Sequence, residues 1–301
     1  MRYQPYQPDE LRFAYCCHVY YRWHTCWNMA NPNLARIAAQ DIEAERPDIH
    51  ILNFKADDVE IAVLASLKPT HSVAIGASKL KGATSKILRR MAASPSCAKL
   101  VGEGYFACTA GPPTFEELNR YLDRQGHHHG YDSRAHPPLY VRSWKDPGEI
   151  GALRGVHSWT SVRWHLVFST WDRKGVFTAA AAKSIVDCWE SLLLSQRLRF
   201  LKTSFLPDHA HLAIRTHPGV VPADLVPVLL NSSQDLMYRK FDRLVISTGS
   251  PRMWKPSAYI GTVGKLATAQ IQAYLRRAGT QPEVPAGKRR GSRKGLRARR
   301  S

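Results

Sequence analysis

No apolar run in this 301-residue chain approaches the roughly 20 residues that cross a bilayer as a helix. Nor does the N-terminus carry a charged segment followed by an apolar core, so a secretory leader is not expected. Both absences point to a soluble, cytoplasmic protein. Six cysteines (Cys16, Cys17, Cys26, Cys97, Cys108, Cys188) never form a Cys-x-x-Cys pair. That spacing speaks against a disulfide framework or a zinc ribbon and for reduced thiols. Acids are scarce: 24 Asp and Glu stand against 43 Lys and Arg, a formal net charge of +19.

Eight of those excess charges sit after Pro285, on Lys288, Arg289, Arg290, Arg293, Lys294, Arg297, Arg299 and Arg300, where no acid occurs. Eleven remain on the rest of the chain, so the excess is not confined to the tail. A basic body attracts polyanions, and nucleic acid is the commonest of them. A hydrophobic content of 44% and an aromatic content of 10% suit globular domains with real cores. The length leaves room for two of about 150 residues each.

Hydrophobic patterning runs the same course twice. In the first half, an aromatic-rich strand over 11–27 precedes a helix over 32–46, strands over 49–54 and 59–64, and a helix over 72–91. A short strand over 104–111 and a helix over 115–125 follow, the latter opened by Thr114 with Glu117 as its capping-box partner. In the second half, a strand over 161–169 precedes a helix over 179–194, strands over 199–206 and 209–215, and a helix over 223–241. A strand over 254–264 and a helix over 267–278 close the series. Gly111 to Tyr121 and Gly264 to Tyr274 both span ten residues. Asp58 stands 63 residues before Tyr121, and His209 stands 65 before Tyr274. A duplication with a period near 150 residues accounts for these spacings. Each half is expected to be α+β, a sheet with helices on one side.

The stretch Pro207-Asp208-His209-Ala210-His211-Leu212 enters a strand. Residues two apart on a strand share a face, so His209 and His211 project side by side, and two neutral imidazoles so placed can hold a divalent ion. Ordinary packing is the plain alternative for such a pair.

That stretch, with a following helix, Trp254-Lys255-Pro256-Ser257-Ala258-Tyr259-Ile260, Thr262-Val263-Gly264 and a helix bearing Tyr274, resembles the IS200-like single-tyrosine HUH transposases, which include the REP-associated tyrosine transposases. The first half resembles them too, through Ser66 to Ser72, Lys79-Leu80-Lys81-Gly82, Gly104-Tyr105-Phe106 and Tyr121 to Gln125. The resemblance covers about residues 11–131 and 160–281. It implies a nickase and joiner of single-stranded or hairpin DNA, working as a dimer. It implies Mg²⁺ or Mn²⁺ held by two histidines and a glutamine, and a tyrosine that forms a 5′-phosphotyrosine link. It also implies a bacterial, nucleoid-associated location.

The departures from that pattern are complementary. The second half has both histidines, but Ala278 stands four residues after Tyr274, where the glutamine belongs. The first half has Asp58 and Glu60 where the histidines would be, but keeps Tyr121 and Gln125, four apart on one helix face. The expected arrangement is two tandem HUH-type domains, each an antiparallel sheet with helices packed on it, forming a pseudo-dimer within one chain, which is compatible with a monomer. One composite site would combine His209, His211 and Gln125 as metal ligands with Tyr121 as nucleophile. A degenerate one would hold Asp58, Glu60 and Tyr274. Asp58 and Glu60 also read as two acids on a solvated face, and Tyr274 as a packed or surface tyrosine.

Expected boundaries are an arm over 1–10, a first domain over 11–143, a linker over 144–156, a second domain over 157–285 and a basic tail over 286–301. Lys79, Lys81, Lys86, Arg89 and Arg90 offer a stripe that could track a DNA backbone, or a merely solvated face. Trp23, Trp27, Trp164 and Trp171 could stack bases or pack in the core. His127-His128-His129 reads as loop or as metal site. Two rival functions remain: a catalytically retired, host-adopted protein that binds a DNA sequence or hairpin without nicking it, and a metal-dependent hydrolase of small substrates.

Overall fold

The computed structural model describes residues 5–25, 32–56, 59–91, 100–124, 138–145, 158–193 and 197–264, for 32–35 and 91 the backbone only. The first half runs β1 (Arg12–Cys16), β2 (His18–His24), α1 (Pro32–Glu45), β3 (Ile49–Ala56), β4 (Glu60–Leu67), α2 (Val73–Met91), β5 (Tyr105–Ala110) and α3 (Phe115–Asp123). After β6 (Tyr140–Ser143), the second half repeats the order as β7 (Ser158–Thr170), α4 (Ala179–Leu193), β8 (Leu198–Leu206), β9 (His209–Thr216), α5 (Pro222–Lys240), a short α6 (Asp242–Ile246) and β10 (Trp254–Thr262). The helix expected over 267–278 lies outside the described residues. No described helix is long and apolar enough to cross a membrane.

Period-2 burial explains the strands. In β4, Ile61, Val63, Ala65 and Leu67 are buried, and in β7 every second residue from Thr160 to Thr170 is. β8 and β9 differ, being buried on nearly every residue. On β9, Ala210, Leu212 and Ile214 join the main core with Val186 and Trp189 of α4. Ala213, on the opposite face, packs against Leu118 and Leu122 of α3.

All ten described strands form one mixed sheet rather than two separate antiparallel ones. The order is β3-β4-β2-β5-β7-β9-β8-β6, with β10 between β7 and β1. The joins are reciprocal. β5 pairs antiparallel with β2 of its own half and parallel with Ser158–Ser161 of β7. β10 pairs antiparallel with β7 of its own half and parallel with β1. Each half's last strand is thus clasped by the leading end of the other half's central strand.

Matching residues make the joins. Thr109 stands opposite Val19 and Thr262 opposite Trp164. Thr109 Oγ1 accepts from the Arg163 amide (3.0 Å) and donates to the Val263 carbonyl (2.8 Å). Thr262 Oγ1 accepts from the His18 amide (2.9 Å) and lies 2.5 Å from the Ala110 carbonyl. Between them the Gly111 amide donates to the Gly264 carbonyl at 2.6 Å. A Cβ on Gly111 would sit 1.9 Å from the Thr262 carbonyl oxygen, and one on Gly264 would sit 2.4 Å from that of Thr109. Only glycine lets the two backbones approach this closely.

Two segments go beyond the sequence expectation. β6 extends the second half's sheet, pairing antiparallel with β8, where Arg142 bridges Asp187 and Glu190 of α4. The arm is docked over residues 5–10. Tyr6 is 1% exposed, its hydroxyl accepts from the Trp254 amide and lies 2.7 Å from Gln234 Oε1, and Asn231 bonds both its amide and its carbonyl.

Candidate active site

The Pro207-Asp208 turn that joins β8 to β9 is held from outside. The Thr170 amide and hydroxyl both donate to the Asp208 carbonyl (2.9 Å each), and the Val176 amide donates to that of Pro207 (2.8 Å). With the turn fixed, β9 alternation aims His209, His211 and Ala213 to one face, and α3 covers that face. Leu118 and Leu122 bury against Leu201, Ala213 and Val263, each contributing about 2 kcal/mol. Lys202 Nζ donates to Asp123 Oδ1 (2.7 Å) and to the Asn119 carbonyl (3.2 Å), while Ser204 Oγ donates to the Leu122 carbonyl (3.0 Å). The helix start is set by the expected capping box: the Glu117 amide donates to Thr114 Oγ1 (3.0 Å) and the Thr114 amide to Glu117 Oε2 (2.7 Å).

A helix of the first half therefore lies over the histidine strand of the second. Its Tyr121 ring meets that of His211 edge-on, with centroids 5.8 Å apart. The His209 and His211 rings are 5.1 Å apart. Burial pushes the Tyr121 phenol up, and the Arg173 charge works against that rise.

Both histidines are oriented through Nδ1. That of His209 lies 2.5 Å from Asp208 Oδ1, and that of His211 lies 2.9 Å from Nε2 of His165 on β7. His165 stacks on His211, and burial lowers its pKa to about 4, so it stays neutral at ordinary pH. An imidazole whose Nδ1 is held by a protein group presents Nε2 to a ligand, and carboxylate or backbone partners at that position are the usual supports of metal-bound histidine. Nε2 of His209 and Nε2 of His211 are both buried. This donor set fits a divalent ion. Among the described residues no cluster of three His, Cys, Asp or Glu side chains could hold one. Any third protein ligand would come from another residue type or from beyond these residues.

Asp208 is itself supported. Burial pushes its carboxyl up, but the hydrogen bond and charge of His209 and the Arg173 guanidinium outweigh that and hold it below the usual carboxylate range. Arg173 Nε lies 2.7 Å from Asp208 Oδ2. Asp172 and Arg173 have φ of +54° and +56°, left-handed values that cost a non-glycine residue about 1–2 kcal/mol each. Arg120 of α3 and Arg124, which caps its C-terminus, line an open cleft with Glu117 and Tyr121.

Of the predicted site residues, Tyr121, His209 and His211 come together. Gln125, Asp58, Tyr274, Trp27 and His127 to His129 lie outside the described residues. Glu60 is placed differently from the sequence alignment. Counted from Thr109 and Thr262, Glu60 opposite His24 takes the rung of His209 opposite Ser169, and Ala62 takes that of His211. Between the last paired residues, Ala56 with Ile61 and Leu206 with His209, the first connection is two residues longer, which shifts the register. Glu60 is ion-paired with Arg22.

The α2 stripe also differs from an open basic face. Lys79 pairs with Asp48, Lys86 and Arg90 pair with Glu45 (3.1 and 2.6 Å), and Lys81 Nζ donates to the carbonyls of Glu103 and Gly104 (2.7 and 3.1 Å). Arg89 is exposed. Trp23 and Trp164 are core residues, whereas Trp171 is 37% exposed. Sequence reasoning missed Asp208, His165 and Arg173 as parts of the site. The acid directly before His209 was a usable signal; the other two are brought in only by strand pairing and an unusual turn.

Residues 158–278 match the family model described as Transposase IS200 like. No curated protein matches the chain. Among solved structures, a transposase candidate from Deinococcus radiodurans R1 is 26% identical over 41% of this chain and 95% of its own, with a TM-score of 0.35. A monooxygenase candidate from Lactobacillus acidophilus NCFM is 7% identical over 82% of this chain and 93% of its own, with a TM-score of 0.18. Both overlaps are too loose to establish a shared fold. The family match starts with β7, includes the histidine pair and runs past Tyr274. The likeness to the IS200-like transposases covers residues 158–278.

Proposed function

We propose that the chain is a metal-dependent single-tyrosine DNA transposase with one composite site, built as a pseudo-dimer from its two halves. The observation that carries this reading is the contact between Tyr121 of α3 and His211 of β9, which joins a nucleophile from one half to a ligand pair from the other. His209 and His211, with Gln125 supplied just beyond α3, would hold Mg²⁺ or Mn²⁺, which when bound acts as a Lewis acid on a phosphate oxygen.

The chain's own groups do the rest. Asp208 and His165 fix the two imidazoles, and the packing of α3 fixes Tyr121. Tyr121 Oη attacks the phosphorus of the scissile phosphodiester in single-stranded or hairpin DNA. The bond to the 3′ oxygen breaks, that oxygen leaves as a 3′-hydroxyl with the proton the phenol gives up, and a 5′-phosphotyrosine remains. The ester keeps the energy of the broken bond, so rejoining to another 3′-hydroxyl needs no nucleotide. The Asp58 and Glu60 side, with Arg22 on Glu60 and Ala62 on the second histidine rung, supports only a degenerate second site.

The test is a denaturing gel of labelled hairpin DNA taken from beside the gene. With Mn²⁺ or Mg²⁺ a covalent protein–DNA band is expected, and EDTA removes it. Tight, salt-sensitive binding with no band under any metal would overturn the enzyme and favour the retired DNA-binding protein. Turnover of a small ester with no DNA binding would favour a hydrolase.

A further inference from the structure

Arg173 ends a 3-10 turn, Trp171–Arg173, that directly follows the central strand β7. Two consecutive left-handed residues are an odd choice for Asp and Arg, and they are the only described non-glycine residues with positive φ. What the turn does is deliver a guanidinium. Its Nε meets the buried Asp208 Oδ2 at 2.7 Å and its Nη1 meets Ser169 Oγ at 3.2 Å. The side chain remains 47% exposed while that of Asp208 is 5% exposed. Two donors of the planar fork are thus engaged within the protein while nearly half of the side chain stays exposed, and its charge bears on Tyr121. Arginine suits such a double task, because its donors are spread over a rigid plane that matches phosphate.

We propose that Arg173 is a catalytic residue that binds a non-bridging oxygen of the scissile phosphate with the exposed part of its guanidinium. This rests on the transposase reading above. As Tyr121 Oη bonds to phosphorus and the 3′ oxygen departs, negative charge builds on the non-bridging oxygens, and Arg173 stabilises it. On rejoining, the 3′-hydroxyl attacks phosphorus, the Tyr121 ester bond breaks, and the departing phenolate takes up the proton the hydroxyl gives up while Arg173 again stabilises the charge on the non-bridging oxygens.

The test compares wild type, Arg173→Ala and Arg173→Lys in three assays. Single-turnover adduct formation should fall about 10²–10³-fold in Arg173→Ala, the effect of losing one donor at a developing oxyanion. Arg173→Lys should recover part of it. Calorimetric binding of Mn²⁺ alone should stay within about threefold of wild type, since Asp208 keeps its bond to His209. In EDTA, on a Tyr121→Phe background, a neutral methylphosphonate at the scissile position should weaken hairpin binding about tenfold, the size of one charge-assisted hydrogen bond. With Arg173→Ala added, that substitution should make no difference. A wild-type adduct rate in Arg173→Ala overturns the proposal alone. So does a rate loss matched by an equal loss of Mn²⁺ affinity, which would make Arg173 a support of the Asp208–His209 pair. Absence of any adduct from wild type overturns the functional reading and this role with it.

Discussion

His211→Ala should abolish covalent capture of DNA and weaken Mn²⁺ binding by about 100-fold or more. This ring is the hub of the site. It is buried, stacked on His165, held at Nδ1 by that residue's Nε2, and touched edge-on by Tyr121. Altering a partner that merely orients a ligand typically costs 10–100-fold in affinity, so losing the ligand itself costs at least that. A bound ion supplies several kcal/mol of charge stabilisation to phosphoryl transfer, so the adduct rate should fall about 10³-fold or further. Calorimetry with Mn²⁺ alone and single-turnover gels check both numbers. Unchanged Mn²⁺ affinity in the variant would show that the pair is packing and not a metal site.

Gly111→Ala should destabilise the whole sheet, on the order of 3–5 kcal/mol. The added methyl would stand 1.9 Å from the Thr262 carbonyl oxygen, which is backbone and cannot swing away. Relief requires separating the Gly111 and Gly264 backbones, which costs their hydrogen bond and then the Thr109 and Thr262 links on either side. Those links join the two halves, so α3 would lose its seat over β9 as well. In a unit of this size the melting temperature should drop by roughly 10 °C or more. Gly82→Ala, with open space around its Cβ position in α2, should be neutral or stabilising by up to about 1 kcal/mol. Equal melting temperatures for the two variants would contradict the close-approach account.

What could be read from the sequence was local. The two-residue spacing of His209 and His211, the Thr114 cap and the alternation in β7 are each written in a few adjacent residues, and each is present in the structure. The spacing that suggests a repeat is local in the same way, since Thr-x-Gly precedes each tyrosine by a fixed interval. What escaped depends on distant pairing. The parallel pairs of β5 with β7 and β1 with β10 leave no periodic mark that tells them from antiparallel ones. β6 is four residues long and is defined by its neighbour β8. The register of Glu60 hinged on a connection two residues longer than its counterpart. The lysines of α2 looked free because their partners, Asp48, Glu45 and two carbonyls, lie on other elements. Arg173 could not be singled out, because no sequence rule predicts a left-handed arginine.

The same distinction sets the decisive measurement. The composite site requires that Tyr121, from the half without the His-x-His pair, be the residue that carries DNA. Wild-type protein should be trapped on a labelled hairpin with Mn²⁺, digested with protease and nuclease, and the nucleotide-bearing peptide sequenced by mass spectrometry. The expected peptide contains Tyr121, and Tyr121→Phe should yield none. A nucleotide on the Tyr274 peptide would contradict the cross-half site, even though the chain would still be a nuclease.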